Sequence, residues 1–394
     1  MPILVHNNRM SLESRVGQLY VSSERILDEC ALSNGAIIAA DTEHMAYPST
    51  AENYRFSWAR DAAYQLLAAH ALNPQKAKKR AVDYSGWLQN VWGFNKTGLY
   101  IKRYGTNGAL DVRYGEQHQP DQAGTLIGAL DTVVPEPNQK IDSAIEKMAD
   151  GLVDKWDGGS FGPTQDLWEN RETTHENGAV FTYTIASVIY GLRHAINRLK
   201  GGSDTDRWQK VSNEMISVFN NGTAMDPDGS RYYVRSIYPN SQYHDPDNTI
   251  DASLAGLAYP FSQPEFNSDY ITSTIKKINN QLYSSYTGVS RYYGDTYDGI
   301  VRTNGAERRA GGWPLLSFWQ SIALHTIDKK DQAKDQYFQT IDRLDFMYKN
   351  DQLPDNMIPE QSYRDSYMQG RGVLPLAWSH AKFILATKTL DILN

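Results

Sequence analysis

The sequence predicts an all-α fold, and three observations carry that expectation. Apolar residues recur at three- and four-residue spacing through about twelve separate stretches. Strand patterns are weak; the best is Ser230–Ile237, where alternating Tyr233 and Arg235 read as one arm of a short hairpin. No linker rich in Pro, Ser or Gly divides the 394 residues, so residues 1–394 read as a single domain.

The helices follow in order. The first, 13–33, has Ser11 as a capping residue ahead of Leu12 and Glu13. The second, 58–72, runs through Ala62-Ala63-Tyr64-Gln65-Leu66-Leu67, and a third spans 75–93. Asp121 opens 121–133, and 138–156 follows. In 176–200, Phe181, Ile185, Val188, Ile189, Leu192, Ile196 and Leu199 form the apolar side. Gly201-Gly202-Ser203 turns the chain into 203–220. Asp251 opens 250–258; then come 265–284 and 313–327. In 329–349, Phe338, Ile341, Leu344 and Phe346 mark the apolar side, with Asn350 at the end. The last, 374–392, carries Leu374, Leu376, Trp378 and Phe383. An even number of helices suggests hairpins packed in layers. The long loops near 96–120, 221–249 and 286–312 are where function is expected.

Composition narrows the function. The net charge of −7 argues against nucleic acid or an anionic membrane as partner, since either calls for a basic face. No stretch approaches 18 apolar residues, so no membrane span is expected. The N-terminus shows no basic segment followed by an apolar run, and Cys30 is the single cysteine. Together these suggest a cytoplasmic protein. Cys30 lies in an apolar helical stretch and reads as packing. Asn95-Lys96-Thr97 and Asn221-Gly222-Thr223 match the glycosylation acceptor pattern, without a signal peptide to give it meaning. Tyrosine is abundant, 25 against 11 Phe, with 9 Trp. Such rings stack on sugar faces while bonding hydroxyls; packing accounts equally well for about half of them.

Two glutamates stand out. Glu169 sits in Asp166-Leu167-Trp168-Glu169, after a glycine-rich loop. A carboxyl against the Trp168 ring would lose solvation and stay protonated. Glu360 sits in the stiff loop Ile358-Pro359-Glu360-Gln361, suited to hold a base in one place. Glycoside hydrolysis needs a pair of this kind, one protonated acid and one ionised carboxylate that activates water or attacks the sugar. Taken alone, each fits an ordinary loop glutamate. Tyr54-Arg55-Phe56-Ser57-Trp58-Ala59-Arg60-Asp61 opens a helix with an Arg–Asp pair able to orient a sugar ring, or simply to cap the helix. Arg291-Tyr292-Tyr293-Gly294-Asp295-Thr296-Tyr297 adds a cation and three rings, ahead of Trp313-Pro314. Asp226-Pro227-Asp228-Gly229 opens like a calcium loop, but position twelve is Ile237, so a turn is expected. No zinc spacing and no phosphate loop occur, and neither a metal nor an organic cofactor is expected.

These blocks, with Gln119–Gly124 and Leu376-Ala377-Trp378-Ser379-His380, resemble the glucoamylase-type glycoside hydrolases of family 15 over about residues 34 to 390. The resemblance implies an (α/α)6 barrel of six helical hairpins; many prokaryotic members add an N-terminal β-sandwich domain, and the residues before Tyr54 are too few for one, so no separate β-sandwich domain is expected. It implies an inverting exo-acting hydrolase that frees β-glucose from the non-reducing end of an α-glucoside. Glu169 is then the general acid and Glu360 the base, with Tyr54 holding the water and Gln361 supporting Glu360. Arg60 and Asp61 bind the terminal glucose, helped by Trp58, Trp168, Arg291 and the Leu167 carbonyl. Tyr292, Trp313 and Trp378 line the next positions. Asn170 stands where many relatives carry a second glutamate, and an insertion brings Arg302, Arg308 and Arg309. Short soluble α-gluco-oligosaccharides of maltose or isomaltose type are the implied substrates. A non-catalytic sugar-binding protein and a sugar phosphorylase on the same barrel are the alternatives.

Overall fold

The computed structural model describes residues 2–113, 115–169, 171–173, 178–202, 204–239, 247–285, 287–295, 297, 302–304, 307–309, 311–349, 353–362 and 372–393. Twelve α-helices occur in this part: α1 (Pro2–Glu29), α2 (Ala59–Leu72), α3 (Pro74–Leu88), the single-turn α4 (Phe94–Thr97), α5 (Pro120–Val133), α6 (Gln139–Lys155), α7 (Thr182–Arg198), α8 (Thr205–Asn221), α9 (Ser268–Leu282), α10 (Pro314–Thr326), α11 (Lys330–Lys349) and α12 (Ala377–Thr389). A 3₁₀ helix covers Ala252–Leu257.

The six inner elements are α2, α5, α7, the 3₁₀ helix, α10 and α12. Each packs against the next, and α12 returns to α2, closing the ring. Outside them, α1 packs on α12 and α2, α3 on α2 and α5, α6 on α5 and α7, α8 on α7, α9 on the 3₁₀ helix and α11 on α10. The chain alternates outer and inner elements, which makes the (α/α)6 barrel that the resemblance implied. The inner helices read as apolar nearly all round because both of their sides are covered.

Close approach in the ring depends on glycine. A methyl group on Gly124 of α5 would stand 2.4 Å from the Ser187 carbonyl of α7, and one on Gly191 would stand 2.5 Å from the Gly124 carbonyl. Much of the tyrosine excess is core: Tyr64, Tyr84, Tyr100, Tyr104, Tyr233 and Tyr337 are fully buried. Several of their hydroxyls find partners, as between Tyr84 and Ser57 at 3.1 Å. Cys30 is buried packing.

Several boundaries differ from expectation. α1 starts at Pro2, so Ser11 lies inside it instead of capping it. α7 starts at Thr182 because Val180–Phe181 pairs antiparallel with Ser236–Ile237. α12 starts at Ala377; Pro375 disfavours helical geometry at Leu374. Asp121 is the second residue of α5, behind Gln119 and Pro120, and does not cap it. Asp251 does cap, accepting from Ser253 N at 2.8 Å.

The strands among the described residues form five two-stranded antiparallel pairs. The expected hairpin arm is one of them, Arg231–Tyr233 against Thr223–Met225. Asp226–Gly229 is its turn, with Gly229 N donating to the Asp226 carbonyl at 2.9 Å. Among the described residues, no helix is long and apolar enough to cross a membrane.

Candidate active site

The starts of the inner helices build one open cavity of about 840 Å³, its mouth included. α2 brings Trp58, Arg60 and Asp61 to the wall, α10 brings Trp313 and α12 brings Leu376 and Trp378. The intervening loops add Glu52, Tyr54, Lys102, Arg103, Leu167, Trp168, Glu169, Arg291, Tyr297 and Glu360.

Trp58, the residue before α2, offers no side-chain cap, so Gln122 of α5 does that work. Its Oε1 accepts from Ala59 N at 2.6 Å and Arg60 N at 3.3 Å, and its Nε2 donates to the Lys102 carbonyl at 2.8 Å. The buried Arg60 guanidinium reaches Asp121 at 2.8 Å, Gln119 at 3.2 Å and Asp61 at 3.8 Å. Burial opposes its charge, but Asp121 and Asp61 outweigh that and hold it protonated. Burial pushes Asp61 up to about 7, with the Arg60 charge pulling the other way.

Glu169 occupies left-handed backbone, φ +62°, an uncommon conformation for a residue with a Cβ. The turn aims its carboxyl at two partners. Lys102 Nζ lies 2.8 Å from Oε2, and Trp58 Nε1–H donates to Oε1 at 2.5 Å. The expected desolvation by Trp168 is therefore not how this residue is held. Its side chain is 20% exposed and beside a cation. Trp168 faces elsewhere: its Nε1–H is shared between the two Asp251 oxygens at 2.9 and 3.1 Å, and Arg235 Nε meets Asp251 at 2.9 Å.

Glu360 is buried, and Tyr54 Oη donates to its Oε1 at 3.0 Å. Burial raises Glu360 to about 7, partly offset by that hydroxyl and by Arg291. Its loop is pinned to α12. Ile358 N–H donates to His380 Nε2 at 3.0 Å, and Ser379 Oγ donates to the Pro359 carbonyl at 2.9 Å. Since Nε2 accepts, His380 carries its proton on Nδ1, 2.8 Å from Ser23 Oγ. Burial pushes this imidazole down to about 3, so it is neutral. The two carboxyls are thus connected: Tyr54 bonds Glu360, Trp58 bonds Glu169, and the Tyr54 and Trp58 ring centroids lie 5.3 Å apart.

Arg291 makes a two-pronged pair with Asp295, 2.7 and 2.6 Å. It stands 4.5 Å from the Tyr297 ring, 5.2 Å from Trp313 and 5.5 Å from Trp168.

Trp378 lines the cavity beside Arg60, 5.4 Å away, and stacks on Tyr64. Two expectations need correction. Tyr292 is buried against Arg235, 4.0 Å away, and does not line the cavity; Tyr297 of the same block does. Gln361 is buried, and its Nε2 has no hydrogen-bond partner among the described residues, so that amide does not brace Glu360. Lys102, Arg103 and Glu52 were missed. Their only signal was a long loop at 96–120 carrying adjacent cations, and an acid just ahead of Tyr54. Asn170 and the side chains of Arg302, Arg308 and Arg309 lie outside what is described. Among the described residues, no three His, Cys, Asp or Glu cluster as a metal site.

The family pattern of the glycosyl hydrolases family 15 matches residues 24–388. The chain belongs to glycoside hydrolase family 15. It is 25% identical over 364 residues to an uncharacterized glycosyl hydrolase of Methanocaldococcus jannaschii, a match covering 89% of this chain. The chain spans about half the length of that relative, 52%. Two solved structures share the fold. A glycosidase variant in complex with glucose superposes with a TM-score of 0.73 at 17% identity, over 97% of this chain and 98% of the other. A bacterial glucoamylase complexed with acarbose gives 0.67 at 20% identity, over 95% and 55%.

Proposed function

We propose that this family 15 protein is an inverting exo-acting α-glucoside hydrolase, the whole chain serving as one catalytic domain. It releases β-D-glucose from the non-reducing end of short α-gluco-oligosaccharides of maltose or isomaltose type. The observation that carries this is the pair Glu169 and Glu360 on one cavity, spaced by the Tyr54–Trp58 ring pair. Inversion requires two such carboxyls with room for a water between them.

The chemistry follows from the holders of each group. Glu169 protonates the departing glycosidic oxygen, and Lys102 at 2.8 Å then stabilises the carboxylate left behind. Glu360, near 7, takes a proton from water on the opposite side of the sugar. Tyr54, bonded to it, helps hold that water. Arg60 and Asp61 on the floor bind hydroxyls of the terminal glucose, with Trp58, Trp378, Arg291, Trp168 and the Leu167 carbonyl around it. Trp313 and Tyr297 extend toward the mouth.

Proton NMR of maltose or isomaltose hydrolysis tests the reading. The first glucose formed should be the β-anomer, released without added phosphate. Initial α-glucose refutes inversion, and strict dependence on phosphate makes the protein a phosphorylase instead.

A further inference from the structure

A second cavity, about 910 Å³ with its mouth, lies behind one wall of the first. That wall is the stretch 101–104. Lys102 and Arg103 line the catalytic cavity, whereas Ile101 and Tyr104 line the second. Trp92 lines it too and is 44% exposed, while every other tryptophan of the chain is buried. Leaving a large indole in water forgoes the stabilisation that burial gives. The cavity also carries the exposed side chains of Asn95 and Glu116, together with His118. His118 Nδ1 is buried with no hydrogen-bond partner among the described residues. Burial lowers the basicity of this imidazole, partly offset by the Tyr100 backbone, so the ring adds a neutral polar wall.

An open indole beside the Asn95 amide, the Lys96 ammonium and the Glu116 carboxylate matches one ligand chemistry well. The C–H face of a pyranose stacks on the ring while its hydroxyls reach the polar groups. An apolar ligand would leave these three groups without partners, and with Lys96 and Glu116 of opposite sign the lining favours a neutral polar ligand over an anion. We propose that this cavity is a second saccharide site, taking a glucosyl unit of an oligosaccharide on Trp92 apart from the catalytic cavity. The choice of sugar rests on the proposed hydrolysis of α-glucosides.

The two sites share backbone. Lys102 N donates to the Gln117 carbonyl at 2.9 Å, and Gln119 N to the Tyr100 carbonyl at 3.2 Å. Lys102 pairs with Glu169, and Gln119 Oε1 accepts from Arg60 at 3.2 Å. A sugar on Trp92 therefore sits one strand away from both the acid and the floor.

The test is a titration of the ¹⁵N-labelled indole signals with thiomaltose, whose sulfur bridge resists hydrolysis. The Trp92 signal is identified by its loss in W92F. It should move saturably, and E116Q should weaken that titration about tenfold. W92F should release glucose from maltose at a rate within twofold of the parent. A Trp92 signal that stays still while the Trp58 signal saturates overturns the second site and leaves the hydrolase reading intact. A moving Trp92 signal in a protein that hydrolyses no α-glucoside keeps the site and removes the hydrolase. A Trp92 titration unchanged in E116Q also overturns the site as drawn.

Discussion

The Tyr54 hydroxyl donates to Oε1 of Glu360 at 3.0 Å, and that bond favours the ionised form of a buried carboxyl near 7. Tyr54→Phe removes it. A hydrogen bond to a charged group contributes about 1.5–3 kcal/mol, so the acidic limb of the rate profile should move to higher pH by roughly one unit or more. The limb of kcat/KM against pH checks this. An unchanged limb would separate Tyr54 from the base.

Replacing either carboxyl tests the chemistry itself. Glu169→Gln and Glu360→Gln should each lower kcat by about two to four orders of magnitude, with the circular dichroism of the parent. Full turnover in either variant would remove that residue from the mechanism.

Stability offers an independent reading of Glu360. Its folded value, about 7, lies above the ordinary carboxyl range. The folded state therefore binds more protons than the unfolded state between about pH 4.5 and 7, and stability from this group falls as pH rises through that window. The ionised form costs on the order of 3 kcal/mol. Glu360→Gln should gain melting temperature relative to the parent at pH 8 but not at pH 5. Asp61, also near 7, acts in the same direction. Equal differences at both pH values would contradict the burial argument.

His380 touches Glu360 only through the loop. His380→Ala leaves the buried Ile358 N–H without its acceptor, at a cost of about 1–3 kcal/mol. The base should shift, and kcat should fall roughly tenfold to a hundredfold while KM changes little. An equal rise in KM would point to a general loss of structure. His380→Asn, which restores an acceptor, should recover part of the rate.

The ring itself can be tested away from the cavity. Gly124→Ala puts a methyl group 2.4 Å from the Ser187 carbonyl, which must yield. A loss of about 1–3 kcal/mol or more is expected in chemical denaturation. A neutral result would mean that α5 and α7 can separate freely.

The helices were legible because burial on both sides leaves an apolar record at helical spacing, as along 182–198. The helix read over 250–258 is present as a 3₁₀ turn at Ala252–Leu257, and only its type escaped the sequence, since six residues cannot express a period. The two glutamates were legible as blocks, but their neighbours were not. Trp168 adjoins Glu169 in the chain, yet a positive φ turns the carboxyl toward Trp58 and Lys102, distant in sequence. Tyr292 and Tyr297 share one block, and only the path of the loop decides which of them meets the cavity. Trp378 reads like any aromatic at a helix start; its stacking on Tyr64 and its place beside Arg60 come only from the packing of α2 against α12.

The convergence of helix starts on the cavity has an electrical consequence. α2, α10 and α12 present their amino ends there, and each such end carries roughly half a positive charge. A glycosyl centre that turns cationic as its bond breaks would meet repulsion from that scaffold. Glu52, Asp61, Glu169 and Glu360 line the same cavity, so in the proposed hydrolase their ionised forms would offset the charge of their own framework as well as meet the sugar.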